Sequence, residues 1–334
     1  SSESTFNYKK LVDSSTVSSE DIVSNSDVVT FTATFSESMA ATPTISLTGI
    51  ISDQIMTATS SASQWVYTWT VSVVSSITST TATVSGTDLA GNYYAGTDSV
   101  TFTIDNSTPT VTLTDTDANN IVSNSNVVTL TATFSESMAA TPTISFTGID
   151  SNVLMTATSS ASQWIYTWTV SVVSSITSTT ATVSGTDLNG NYYVGTESIT
   201  FRIDNSAPIV SLTDTDSDNI VSNQDEVTIT ATFSESMAAT PTLSLTGIVS
   251  DTQMMATTSD TVWTYAWTVS GSTVTSTTAT VSGTDLAGNA YSGTDSITFT
   301  IDNTAPTVTL TDTDSDNIVS NSDVVTITAT FSES

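Results

Sequence analysis

The chain has 334 residues, of which 33 are acidic and only Lys9, Lys10 and Arg202 are basic, for a net charge of -30, with neither histidine nor cysteine. Nucleic acid is excluded as a partner, since nothing here neutralises phosphates. Disulfides, thiolate metal sites and histidine- or cysteine-dependent nucleophilic centres are excluded as well. So high a charge costs a compact fold stability unless cations gather where the acids are dense.

No stretch of 18 apolar residues could span a membrane, and Ser1 to Lys10 lacks the apolar run of a secretion signal, so any targeting element is expected outside this segment. From Ile22 onward the sequence copies itself. The string from Ser135 to Pro142 has near-copies at Ser36 to Pro43 and Ser234 to Pro241, and Ser332 to Ser334 starts a fourth. Trp65, Trp164 and Trp263 recur at 99-residue spacing. A period near a hundred matches a whole small domain, so we expect tandem units at 1–104, with a divergent edge at Ser1 to Lys10, then 105–203, 204–301 and 302–334. The last supplies only two predicted strands, as in a window cut from a longer polypeptide.

Within the second unit, strands are predicted over 108–114, 128–135, 143–147, 153–158, 163–172, 179–186 and 198–203. In the clearest of these, Val128, Leu130, Ala132 and Phe134 share one parity and threonines the other, the mark of a half-buried strand. Pro, Gly, Asn and Asp punctuate the intervals. No segment has apolar spacing of 3.6. The fold class is therefore all-β: a tandem array of seven-stranded, antiparallel immunoglobulin-like sandwiches. Trp164, Tyr166, Trp168 and Val170 face one way, as do their counterparts from Trp65 and Trp263. We read this row as core, with stacking on sugar rings as the alternative.

Three strings carry a family resemblance: Ile203-Asp204-Asn205-Ser206-Ala207-Pro208, the strand end Phe134-Ser135-Glu136, and the turn Thr284-Asp285-Leu286-Ala287-Gly288-Asn289. As a set they resemble the bacterial immunoglobulin-like repeats of giant extracellular surface adhesins, from about Ile22 to the end. The resemblance implies a secreted, rod-like stalk on the bacterial cell surface, often with Ca2+ between domains. The exit string also resembles the calcium-binding linker of cadherins.

If the ends of a seven-strand sandwich lie at opposite poles, the acids fall into groups at the junctions. Asp115, Asp117 and Asn119, the exit pair Asp204 and Asn205, and Glu235, Asp285 and Asn289 are expected around the junction of the second and third units. Asp105, Glu136 and Asp187 hold equivalent positions one unit earlier, and Asp302 one later. Glu136 continues the inward parity of Phe134, and Asp187 that of Val183 and Gly185, so both sit where a core-facing strand runs out. A buried carboxylate there needs a cation or a basic partner, and bases are missing. Oxygen donors alone suit a hard cation such as Ca2+. A second candidate is the loop Asp214, Asp216, Asp218, Asn219, repeated at Asp312, Asp314, Asp316, Asn317, with Asp225 or Asp323 eleven residues after the first Asp. It partly matches an EF-hand loop but lacks the glycine and the helices. The first unit departs further, having Thr16 and Ser18 with only Glu20, Asp21 and Asp27 nearby. Ordinary acidic turns explain these loops equally well.

The leading expectation is a non-enzymatic stalk whose partners are neighbouring repeats, stiffened by Ca2+, with glycans or other cells contacted through a tip elsewhere. Lateral assembly as a surface-layer or filament subunit and carbohydrate binding are the alternatives. Carboxylate-pair hydrolysis is disfavoured because the acids recur in every unit. Asn106-Ser107-Thr108 fits a glycosylation acceptor, although the plain linker reading is favoured.

Overall fold

A computed structural model describes residues 5–12, 15–16, 22–73, 75–171, 177–270 and 275–333. All regular structure among them is β-strand. Among the described residues no helix is long and apolar enough to cross a membrane. The chain separates into two compact units, residues 1–120 with 125–202 and residues 121–124 with 203–334.

The first unit begins with two facing sheets. One runs Ser15–Thr16, Thr5–Val12, Val28–Thr34, Gln64–Thr70, Thr57–Ala58 in spatial order, and the other Ile22–Val23, Ser99–Ile104, Ile77–Ser85, Thr44–Leu47, Ile51–Ile55. Their inner faces form one core around Phe31, Phe102, Ile45, Leu47 and Trp69. The same order recurs in Val111–Asp115, Val127–Phe134, Gln163–Thr169, Thr156–Ala157, opposite a sheet containing Ser178–Ser184, Thr143–Phe146 and Asp150–Leu154. It recurs again in the second unit. There Val210–Thr213, Glu226–Phe233, Val262–Thr268 and Met255–Ala256 face Ile220–Val221, Ile297–Ile301, Ser276–Ser282, Thr242–Leu245 and Val249–Gln253 over a single core. Val308–Asp312 and Ile327–Phe331 then pair as a separate two-stranded sheet. These are immunoglobulin-like sandwiches built on period-2 burial: Val128, Leu130, Ala132 and Phe134 point inward and the intervening threonines do not.

The aromatic row is core. Trp168 is 2% exposed and stacks on Phe146 at 4.6 Å between ring centroids, while Trp164 and Tyr166 on the same face are half-buried. Burying an aromatic side chain of this size is among the largest single apolar contributions a small sandwich can make.

Three details differ from the pattern expected of the sequence. The segment predicted as one strand over 153–158 is two: Asp150–Leu154 pairs with Thr143–Phe146, and Thr156–Ala157 pairs with Gln163–Thr169 in the opposite sheet. Met155 marks the crossing. It is 3% exposed, and its N–H donates to Pro142 O at 3.0 Å, so the chain changes sheets through the core edge. Two-residue strands also pair in parallel with the last strand, Ile22–Val23 with Thr103 and Ile104, and Ile220–Val221 with Thr300 and Ile301. Such segments are too short to show any period, and they make the sandwich not wholly antiparallel. Finally, Thr5–Val12 is a full strand paired with Val28–Thr34, although it departs from the repeat in sequence. The strand expected over 163–172 ends at Thr169, and Val172 lies outside the described residues.

A tyrosine closes each sandwich near its last strand. Tyr193 meets Phe134 edge-on at 6.3 Å, and its hydroxyl accepts the Glu197 N–H at 2.9 Å; Tyr291 repeats this with Phe233 and the Asp295 N–H. The ring lies so close over Gly195 that a Cβ there would collide with it. Gly195→Ala should therefore displace Tyr193 and cost about 1–3 kcal/mol, the usual range for overpacking. Chemical denaturation checks this, and an unchanged unfolding midpoint would count against the ring's closing role.

Candidate metal centre

Two carboxylate trios form among the described residues. Asp105, Glu136 and Asp187 make one, and Asp204, Glu235 and Asp285 the other, with one oxygen from each member lying within 4.8 Å of the others. The members come from equivalent positions, and the fold explains each placement. Asp105 directly follows strand Ser99–Ile104, where its N–H donates to Val23 O at 2.8 Å; Asp204 N–H donates to Val122 O at 2.9 Å. The short strand thus aims the exit aspartate. Glu136 stands two residues past Val127–Phe134, where the strand has run beyond its sheet partners.

Asp187 is placed by a turn. Its Oδ1 accepts the N–H groups of Asn189 and Asn191, both at 2.8 Å, while Oδ2 accepts Asn191 Nδ2 at 2.9 Å. Gly190 supplies the positive φ, 91°, that the turn needs. Asp285 is held in the same way by Ala287, Asn289 and the Asn289 amide. Asp187 and Asp285 are 0% and 1% exposed, so these carboxylates sit in the lowest-dielectric part of each trio. In the first sandwich the equivalent Asp88 belongs to neither trio; hydrogen bonds from the Asn92 side chain and from backbone N–H groups hold its carboxyl below the usual range.

The asparagines tie the trios together. Asn289 Nδ2 donates to Asp204 O at 3.0 Å, and Asn191 Nδ2 to Asp105 O at 3.2 Å. Asn205 turns away and accepts the Asn124 N–H at 2.6 Å. Its counterpart Asn106 is engaged twice: Oδ1 accepts Asn25 N–H at 2.5 Å, and Nδ2 donates to Val73 O at 2.6 Å. The nitrogen that a glycan would need is therefore committed to holding the linker.

The other candidate residues are engaged in local turns. Asp115 accepts the Asp117 N–H at 2.8 Å, and Asp117 accepts those of Asn119 and Asn120. In the next copy Asp214 accepts the Asp216 N–H, Asp216 that of Asp218, and Asp218 that of Ile220. Asp312 accepts from Asp314, and Asp316 from Ile318. Asp225 and Asp323, at the would-be final ligand position, close turns on Ser222 and Ser320. Asn120, Asn219 and Asn317 take the positive φ of these loops. Asp302 accepts the Thr304 N–H and joins no trio. Of the residues at the first copy's counterpart loop, Ser18, Glu20 and Asp21 lie outside the described residues.

The donor set fits a hard cation, since each trio offers carboxylate oxygens and has no basic member. Burial, reinforced by Asp187 and Asp105 and by a hydrogen bond to Asp187, raises the Glu136 carboxyl above its ordinary value of 4.5. Without a cation, a proton is what relieves the crowding. The sequence pointed to the exit aspartate, the strand-end glutamate and the turn aspartate of each trio. It gave no signal for Asn189, whose Nδ2 donates to Asp105 Oδ2 at 2.8 Å, because the repeat has Ala90 and Ala287 at that position.

No family model matches the chain, and no curated protein does. Among solved structures it is similar to a 1.5-MDa bacterial ice-binding adhesin (19% identity, 91% of this chain and 99% of that one, TM-score 0.48). It is also similar to a Ca2+-stabilized adhesin with which an Antarctic bacterium binds ice (24% identity, 93% and 77%, TM-score 0.44). A tetra-tandem repeat from the extending region of a large adhesion protein follows at 19% identity, 93% and 87% coverage and TM-score 0.34.

The raised Glu136 value fixes the sign of a pH effect. A carboxyl with a raised folded-state value loses its contribution as pH climbs from about 4.5 through that value. In chelator, Glu136→Gln should therefore match the native chain in acid and melt progressively higher than it toward neutral pH. Parallel melting curves across that range would contradict the crowding.

Proposed function

We propose that the chain is part of the non-enzymatic stalk of a long extracellular adhesin on the bacterial surface. Its repeats are 1–104, 105–203, 204–301 and the partial 302–334, and Ca2+ held at the two trios stiffens the junctions where Asp105 and Asp204 open a repeat. The observation that carries this reading is the duplication: equivalent residues of two successive copies build the same partly buried three-carboxylate cluster with no basic member. Each cluster joins a linker aspartate to a strand end and a turn of the copy that follows, so a cation held there would resist bending at the linker. Repeats of roughly 40 Å each give reach, and stiff linkers keep it.

Calcium binding only to the folded state should stabilise by mass action, about 2.7 kcal/mol per site at a hundredfold excess over Kd. Thermal unfolding in Ca2+ against excess chelator should show a large upward shift, abolished by Glu136→Gln combined with Glu235→Gln. Small-angle scattering should give a longer maximum dimension in Ca2+. Superimposable melting and scattering curves in the two conditions would sink the proposal.

A further inference from the structure

One short string recurs where a copy meets its own exit: Val23-Ser24-Asn25, Val122-Ser123-Asn124 and Val221-Ser222-Asn223. Its outer two residues grip the linker. Val23 O accepts the Asp105 N–H at 2.8 Å, while the Asn25 N–H donates to Asn106 Oδ1 at 2.5 Å. The same pair of bonds, at 2.9 and 2.6 Å, holds Asp204 with Asn205 and again Asp302 with Asn303.

The serine between them reaches the other way, onto the copy that follows. Ser24 Oγ donates to Asn189 O at 2.7 Å and Ser123 Oγ to Ala287 O at 2.8 Å, and both serines are buried, at 7% and 6% exposure. Asp27 Oδ2 lies farther from the Ser24 hydroxyl, at 3.2 Å, so its one proton goes to the carbonyl. Ser222, whose copy precedes the two-stranded sheet of Val308–Asp312 and Ile327–Phe331, is exposed, and its hydroxyl donates to Asp225 Oδ2 at 3.1 Å. Burial of the serine thus follows the turn seated on it. Residues 121–124 accordingly group with the compact unit that follows them.

We propose that the Val-Ser-Asn turn is the docking surface for the next copy of the repeat, an anchor that aligns successive copies without a cation. Its backbone fixes the linker, and its hydroxyl fixes the Asp-Leu-x-Gly-Asn turn of the following copy. What that partner offers is a main-chain carbonyl, which any residue supplies, so Asn189 and Ala287 serve alike. The serine is the demanding side of the contact, because an apolar residue there would take the donor from a carbonyl at a buried site. The anchor works through uncharged groups, so chelator and salt should leave it in place. It therefore goes beyond the cation reading of the trios and does not depend on it.

Because the chain lacks cysteine, a spin-label pair at Thr68→Cys and Thr167→Cys, both exposed, can report how the first copy is held against the second. In excess chelator the full chain should give one narrow distance distribution, and Ser24→Ala should broaden it. Hydrogen–deuterium exchange on the unlabelled chain should show Asn25 and residues 105–107 exchanging about three- to tenfold faster in Ser24→Ala, the range for one hydrogen bond. Strand Val127–Phe134 should keep its protection, which a general loss of stability would not allow. Asn106→Ala should act in the same way from the linker side, whereas Ser222→Ala should leave the first junction as it is. Distance distributions and linker exchange unmoved by Ser24→Ala and Asn106→Ala would overturn the anchor, as would equal broadening by Ser222→Ala. No arm contains metal, so a failure of the cation proposal shows separately, as Ca2+ giving the native chain no melting shift.

Discussion

Carboxylates that end core-facing strands gather in trios made of acids alone, and much of the rest of the organisation follows from that constraint. The sheets hide their apolar residues between them without difficulty, because apolar residues alternate with Thr along strands such as Val28–Thr34, Val127–Phe134 and Glu226–Phe233. At the pole the alternation continues into Glu136 and Asp187, or Glu235 and Asp285, and an aspartate from the linker joins them. Three like charges in a half-buried space are costly in water-poor surroundings. Protons, amides or a divalent cation can each lower that cost, and the Asn191 and Asn289 side chains supply amides within the chain.

The turn aspartate carries two duties at once. Asp187 shapes its hairpin by accepting two backbone N–H groups, and the same carboxylate belongs to the trio. The Asp-Leu-x-Gly-Asn string would therefore recur for purely conformational reasons. The trio recurs because the linker and the strand end are delivered to that turn by the sandwich, the linker through its backbone bond to the short parallel strand.

Charge is also kept off much of the outward sheet surface. Hydroxyl pairs such as Thr81 with Thr101 at 3.0 Å, Thr180 with Thr200 at 2.9 Å and Thr278 with Thr298 at 3.0 Å line the same place in each copy. Threonine satisfies β-propensity while its hydroxyl stays paired. Many of the acids are left to loops and turns, where backbone N–H groups are available to them, as the Asp214 and Asp312 loops illustrate.

Parity and punctuation in the amino-acid sequence were enough to determine the all-β sandwich, the inward face of Val127–Phe134 and the aromatic core row, because alternation is a local property that survives folding. The repeat period likewise singled out the three acids of each trio as a recurring set. Tertiary structure decided the rest. Two-residue strands such as Ile22–Val23, and the change of sheet at Met155, carry no period and exist only by virtue of their partners. The proximity of residue 105 to residue 187, the capture of Asn106 by the linker and the hydrogen bond from Asn189 to Asp105 depend on distances between segments more than thirty residues apart. Such distances are set by how the sheets close, and local composition does not encode them.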